Sequence, residues 1–167
     1  MPLTVGDPIL REIGRIAVYQ SHIEGQMALF VRELLDLEEV KGNLITFKLS
    51  FWELTDLLGS LLSNEFASQN KHVRRFESFR KAMEKTVPER NKSVHSMWSF
   101  GSTLKSDSAT RVRVVKDKSK GAVLESVPVT LKELQDMSKE MEHLEWEIGD
   151  LRVRVCHYEA SARSGRA

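Results

Sequence analysis

One cysteine, Cys156, stands in 167 residues. An intrachain disulfide is therefore excluded, as is a cysteine-ligated metal cluster, and such sparse cysteine suits a reducing compartment. The histidines at 22, 72, 95, 143 and 157 show no metal-ligand spacing among themselves, so neither a metal nor a cofactor is expected. No apolar run approaches the ~20 residues that cross a bilayer, and the N-terminus lacks the basic-then-apolar form of a secretion signal. A cytoplasmic protein with no membrane partner is the expectation. The strings G-x-S-x-G, G-x-x-x-x-G-K-[ST] and G-x-G-x-x-G are all missing, which removes the nucleophile elbow and both glycine-rich phosphate loops. Aromatic residues make up only 7%, too few and too scattered for a base-stacking array.

What is present is an ordinary globular composition with segregated charge. Hydrophobic residues are 41% and charged residues 29%, and the formal net charge is +1. Residues 71–92 hold eight Lys or Arg against three Glu, residues 111–120 five against one Asp, and residues 129–150 seven acids against two Lys. Such blocks make a basic face and an acidic face. A chain of this length is expected to form a single domain, residues 1–160, able to bury roughly two-thirds of its unfolded surface.

Periodicity divides that domain. Ile9, Ile13, Ile16, Ile23, Met27, Phe30, Val31 and Leu34 recur at threes and fours, which predicts a helix over 8–38 with Asp7 as N-cap and Pro8 in its first turn. Gly42-Asn43 closes it. Ser50 and Glu53 have capping-box spacing and open a second helix, whose apolar face holds Trp52, Leu54, Leu57, Leu58, Leu61, Leu62 and Phe66. A third spans about 70–85, with Val73, Phe76, Phe79 and Met83 inward. Pro88 predicts a break near Thr86 and a short new helix beyond it. The β-branched runs Val112–Val115 and Val123–Val127 flank a charged turn and read as a β-hairpin, about 111–127. Thr130 and Glu133 cap a last helix, about 131–158, with a near-heptad seam from Leu131 to Val155. Residues 161–167 form a small, polar, disordered tail. The fold class is all-α: a bundle of four to five helices with the hairpin inserted before the last.

The sharpest local signal is Arg90-Asn91-Lys92-Ser93-Val94-His95. An Arg followed four to seven residues later by a His occurs also at Arg15/His22 and Arg152/His157, so spacing alone carries little. Only the middle pair has Asn directly after the Arg. Arg can hold a phosphate's charge, and an imidazole can take a proton near neutral pH. Asn91 and His95, four apart, share a helical face that Trp98 continues. The N-terminus of the short helix would offer free N–H groups to an anion, with Lys92, Lys85 and Arg80 adding attraction. Set against this, Asn91 and His95 on a stripe with Val87, Val94 and Trp98 equally suit a hydrogen-bonded polar core. Cys156 reads as a buried structural thiol, and His143 with Trp146 as packing residues.

These residues carry a resemblance to the HEPN superfamily of nucleotide-binding helical domains. Arg90 to His95 stands in the R-N-x-x-x-H form, extended by Ser96 and Trp98, after two long helices and a third leading into it, and before a long closing helix. Over residues 8–158 the chain resembles that family. The resemblance implies a metal-independent endoribonuclease, cytoplasmic and homodimeric, of the kind found in toxin–antitoxin and defence systems. Arg90 and His95 would be catalytic, Asn91 accessory, and Glu24 of the first helix supporting. RNA or a nucleotide, and an antitoxin-type protein, are the partners it suggests. A non-catalytic nucleotide-binding or protein-interaction module is the alternative, since many members of that family lack activity. The hairpin departs from the minimal bundle.

Overall fold

A computed structural model describes residues 8–66, 70–100, 108–117, 119 and 121–164, with side chains as far as Cys156. It contains α1 (Pro8–Leu34), α2 (Glu39–Thr46), α3 (Phe51–Glu65), α4 (Lys71–Val94), β1 (Met97–Ser99), β2 (Ser108–Asp117), β3 (Gly121–Thr130) and α5 (Leu131–Ser164). The fold is mostly helical with a small antiparallel sheet, so it is mixed rather than purely all-α. Two compact units divide it: Met1–Tyr19 with Lys85–Glu142, and Gln20–Glu84 with His143–Ala167. The helices α1, α4 and α5 each run from one unit into the other. No described helix is long and apolar enough to cross a membrane.

The second unit has the larger helical core. Ile23, Met27, Phe30 and Val31 of α1, Leu58 and Leu62 of α3, Phe76, Phe79 and Met83 of α4, and Leu144, Ile148 and Leu151 of α5 are all buried. Each such side chain contributes on the order of 1.5–3 kcal/mol by leaving water. Gly59 lets the Phe76 ring come within 3.1 Å of where a Cβ would stand. The capping boxes form as their spacing requires. Ser50 Oγ accepts from the Glu53 N–H and Glu53 Oε2 accepts from the Ser50 N–H, 2.7 Å, at the start of α3. Thr130 and Glu133 do the same before α5, with the Thr130 N–H donating to Glu133 Oε2 at 2.7 Å and the Glu133 N–H to Thr130 Oγ1 at 3.2 Å. The expected cap Asp7 lies outside the described residues.

Four boundaries differ from expectation. The first helix ends at Leu34, short of residue 38, because Asp36 turns left-handed at φ 50. The Leu37 N–H then reaches back to the Arg32 carbonyl, 3.0 Å, and the Asp36 N–H to that of Glu33, 3.2 Å, a paired closure that satisfies carbonyls at the helix end. Gly42 and Asn43, read as a terminator, instead lie inside α2. Helix α4 runs unbroken through Pro88. Glu84, whose carbonyl loses its donor to the proline, and Pro88 are both exposed, so the break in the hydrogen-bond ladder falls on the solvent side of the helix, where an unmade bond costs least. Last, α5 continues to Ser164, four residues into the expected tail, and residues 165–167 lie outside the described ones.

The hairpin exists and is longer than 111–127. Strands β2 and β3 pair from Ser108↔Thr130 to Asp117↔Gly121, and the short β1 adds to the other side of β2, Trp98↔Arg111 at its centre. Gly121 has φ +76 at the end of the turn, and Asp117 Oδ1 accepts from the Ser119 N–H, 2.8 Å. Alternation gives the sheet two faces. Trp98, Ala109, Arg111, Arg113, Glu125 and Val129 share the covered one, and Met97, Val114 and Leu124 stand on the exposed one.

Two consequences can be measured. Pro88→Ala restores a helical N–H and removes the ring, so it is expected to raise stability by about 1–3 kcal/mol, read as a higher melting temperature. Hydrogen bonds from Arg154 and Arg75 hold the Asp150 carboxyl below its ordinary 3.8. Its stabilisation is therefore complete above that value and lost as pH falls through the lower folded value. Melting between pH ~5 and ~3 should fall less steeply in Asp150→Asn than in the wild type.

Candidate functional site

The last turn of α4 and the residues just past it carry the motif. Three carbonyls at that end find unlike donors. The His95 N–H bonds the Asn91 carbonyl at 3.0 Å, the Ser96 hydroxyl that of Lys92, and the Trp98 indole Nε1–H that of Ser93 at 2.9 Å. Helix ends require such donors. Here the next strand supplies one of them, so the helix stops without a glycine. Ser93 is buried, its hydroxyl donating to the Glu89 carbonyl at 3.1 Å and touching the Met137 sulfur at 3.8 Å.

This geometry corrects the expected placement. His95 lies one residue past the helix, and Trp98 lies in β1 rather than on the helical stripe. Asn91 and His95 are both exposed, so the polar-core alternative fails. The motif also sits at the carbonyl end of a long helix, not at the N-terminus of a short one. That end carries partial negative charge, and attraction for a phosphate must come from side chains.

Those side chains line an open groove of about 390 Å³ formed by Pro88, Asn91, Lys92, His95, Ser96, Arg113 and Val114. Arg90 is half-buried and outside this lining. Its Nη1 donates to Asn91 Oδ1 at 2.7 Å, which ties it to the groove through the amide. Lys92 pairs with Glu89 and Arg113 with Glu125. The Arg113 guanidinium, by its hydrogen bond, holds the Glu125 carboxyl below the usual carboxylate range, with Arg111 and Lys92 assisting.

No known protein family, curated protein or solved structure matches this chain. The site is thus judged on its own geometry. Arg113 is the member that the sequence reading missed. Its signal was the Arg111-x-Arg113 alternation in β2, which puts both guanidiniums on the covered face with Trp98. The remaining expected residues do not join the groove. Lys85 is exposed earlier on α4. Arg80 and Glu24 belong to the other unit. There Arg80 pairs with Asp56 at 2.8 Å and with Glu84, and Glu24 accepts from the Gln20 amide at 2.8 Å.

The other histidines and the thiol have local explanations. His72 is buried near Phe66, and burial foremost lowers its pKa, which favours the neutral ring. His143 stacks on an exposed Trp146. His22 lies 4.0 Å from Glu145, and Arg15 contacts Glu12 and Glu142. The side chain of His157 lies outside the described residues. Cys156 is half-buried rather than buried, with Sγ 3.0 Å from a Glu33 oxygen. Among the described residues no three His, Cys, Asp or Glu side chains gather as a metal site.

The pin at Trp98 is directly testable. Trp98→Phe keeps a ring and removes the donor to Ser93, at an expected cost of about 1 kcal/mol in denaturant unfolding. Faster amide exchange at His95 and Ser96 should accompany it. Unchanged exchange there would mean that the indole does not set the helix end.

Proposed function

We propose that the His95 groove is one half of a metal-independent ribonuclease site of HEPN type, completed by a second copy of the chain. The observation that carries this reading is the contact series Arg90–Asn91–groove–His95, with an exposed imidazole at its centre and two further cations, Lys92 and Arg113, on its walls. In this reading His95 takes the proton from an RNA 2′-hydroxyl. The 2′-oxygen attacks the adjacent phosphorus, the P–O5′ bond breaks, and a 2′,3′-cyclic phosphate remains. Asn91 holds a non-bridging oxygen as charge grows on it, with the Arg90 guanidinium stabilising that charge from behind through its bond to the Asn91 amide. The leaving 5′-oxygen needs a proton. Among the described residues the groove's lining holds one imidazole and no carboxylic acid, so the second copy's His95 fills that role.

A second reading has its own support. Lys92 and Arg113 are already paired with acids, and the helix end presents carbonyls. Both features suit a module that binds a nucleotide or a protein and performs no chemistry.

The experiment is RNA cleavage in EDTA by the wild type, His95→Ala and Arg90→Ala. Cyclic-phosphate ends are expected from the wild type, with the rate reduced at least ~100-fold in His95→Ala. Cleavage that survives both substitutions, or that never appears, overturns the catalytic reading. Retained nucleotide binding without cleavage would select the second.

A further inference from the structure

Helix α2 is built inside out. Its buried residues are Gly42 and Thr46, whereas Val40 is 71% exposed, Leu44 70%, and Phe47 just after it 89%. A solvent-facing helix ordinarily turns its apolar residues inward. The cause of the inversion is close packing against α1: a Cβ on Gly42 would stand 2.6 Å from Arg32 Cγ. At 100° per residue, Val40, Leu44 and Phe47 fall within about 60° of one another and form an apolar ridge about two turns long. Glu39 and Asn43, four apart, share a stripe on one flank of it, and Lys41 and Lys48 lie on the other. On the Asn43 flank opens a groove of about 410 Å³, walled also by Glu24, Gly25, Ala28, Phe47 and Phe51. Trp52 is exposed, meets Phe51 edge to face at 4.8 Å and extends the apolar surface. The sequence reading had placed Trp52 with the inward residues of its helix.

The charge beside the ridge is unbalanced. Lys41 is taken by Glu38 at 3.1 Å. Glu24, Asp36, Glu39 and Glu53 have no ion-pair partner among the described residues, and only Lys48 and Arg32 stand against them. Glu24 is half-buried in the groove wall, with the neutral Gln20 amide as its donor. The acids of the groove flank therefore lack the cations that the opposite flank carries.

We propose that this face docks an amphipathic helix of a partner protein, apolar along its centre and basic along the edge that lies over Glu24 and Glu39. An apolar ridge beside an apolar-walled groove is the surface that helix-in-groove recognition uses, read by anchors at threes and fours. Those anchors enter the groove beside Phe47 and Phe51. The acids select the sign of the flanking charge: a Lys or Arg set over Glu24 gains a partner, and an acid set there is repelled. All of these residues belong to the unit that lacks His95, so the inference stands apart from the ribonuclease reading and from any assembly made through the His95 groove.

Fluorescence anisotropy tests it, with a labelled amphipathic Leu/Lys peptide of roughly 18 residues titrated with the full chain, beside the same peptide with Glu for Lys. The Lys peptide is expected to bind saturably, and the Glu peptide at least ~10-fold more weakly. Leu44→Ser and Phe47→Ser should each weaken the Lys peptide ~10-fold or more. Both positions are exposed, so circular dichroism and melting temperature should stay unchanged. Glu24→Gln combined with Glu39→Gln should narrow the gap between the two peptides, and Leu124→Ser on the exposed sheet face should bind as the wild type does. Absent binding, equal binding of the two peptides, a gap unmoved by the double Gln variant, or binding that survives Phe47→Ser overturns the proposal. So does a sedimentation mass that falls in Phe47→Ser, which would put a second copy on this face. Binding to phosphatidylcholine vesicles that is lost in Phe47→Ser would make the face a lipid surface and overturns it as well.

Discussion

The bond from the Trp98 indole to the Ser93 carbonyl, with its two companions at Asn91 and Lys92, decides where α4 stops. Had the helix continued, Asn91, His95 and Trp98 would have formed one stripe and carried the imidazole along it. Instead the chain leaves the helix at His95 and enters β1, which pairs with β2 through Trp98↔Arg111. The groove exists because helix end and strand meet there, and Arg113 and Val114 reach it from β2. Burial of Ser93 beside Met137 holds the same turn from the other side.

The charge of the groove follows from that geometry. A helix C-terminus repels anions, and both cations on the walls have carboxylate partners. These pairs are partly exposed, with Glu89 and Glu125 the more accessible members. Exposed pairs of this kind contribute only about 0–1 kcal/mol. Under the proposed ribonuclease reading, a phosphodiester that offers two oxygens in their place would exchange with Glu89 and Glu125 at little cost. The ion pairs tune the site rather than close it.

The capping boxes were legible because they are local: Ser50 with Glu53 and Thr130 with Glu133 need only three residues of context. The inward stripes of α1, α3, α4 and α5 were legible for the same reason, apart from Trp52. What escaped reading depends on partners distant in sequence. Helix α2 rests on a glycine fitted against Arg32, so its apolar period points the wrong way. Strand β1 has three residues and takes its conformation from β2. Pro88 reads as a breaker, yet flanking turns packed through Met83 and Val87 keep the helix whole. At the site, the motif Arg90 to His95 was visible, but its exposure and the contribution of Arg113 came from the sheet.

The central claim is that His95 and Asn91 form a phosphodiester-binding groove. Its most direct measurement is the NMR of the histidine ring protons during titration with an RNA oligonucleotide blocked as 2′-O-methyl, which binds but cannot be cleaved. Selective, saturable movement of the His95 resonance, with His22 and His143 stationary, is the predicted result. A stationary His95, or movement of His143 in its place, would contradict the account.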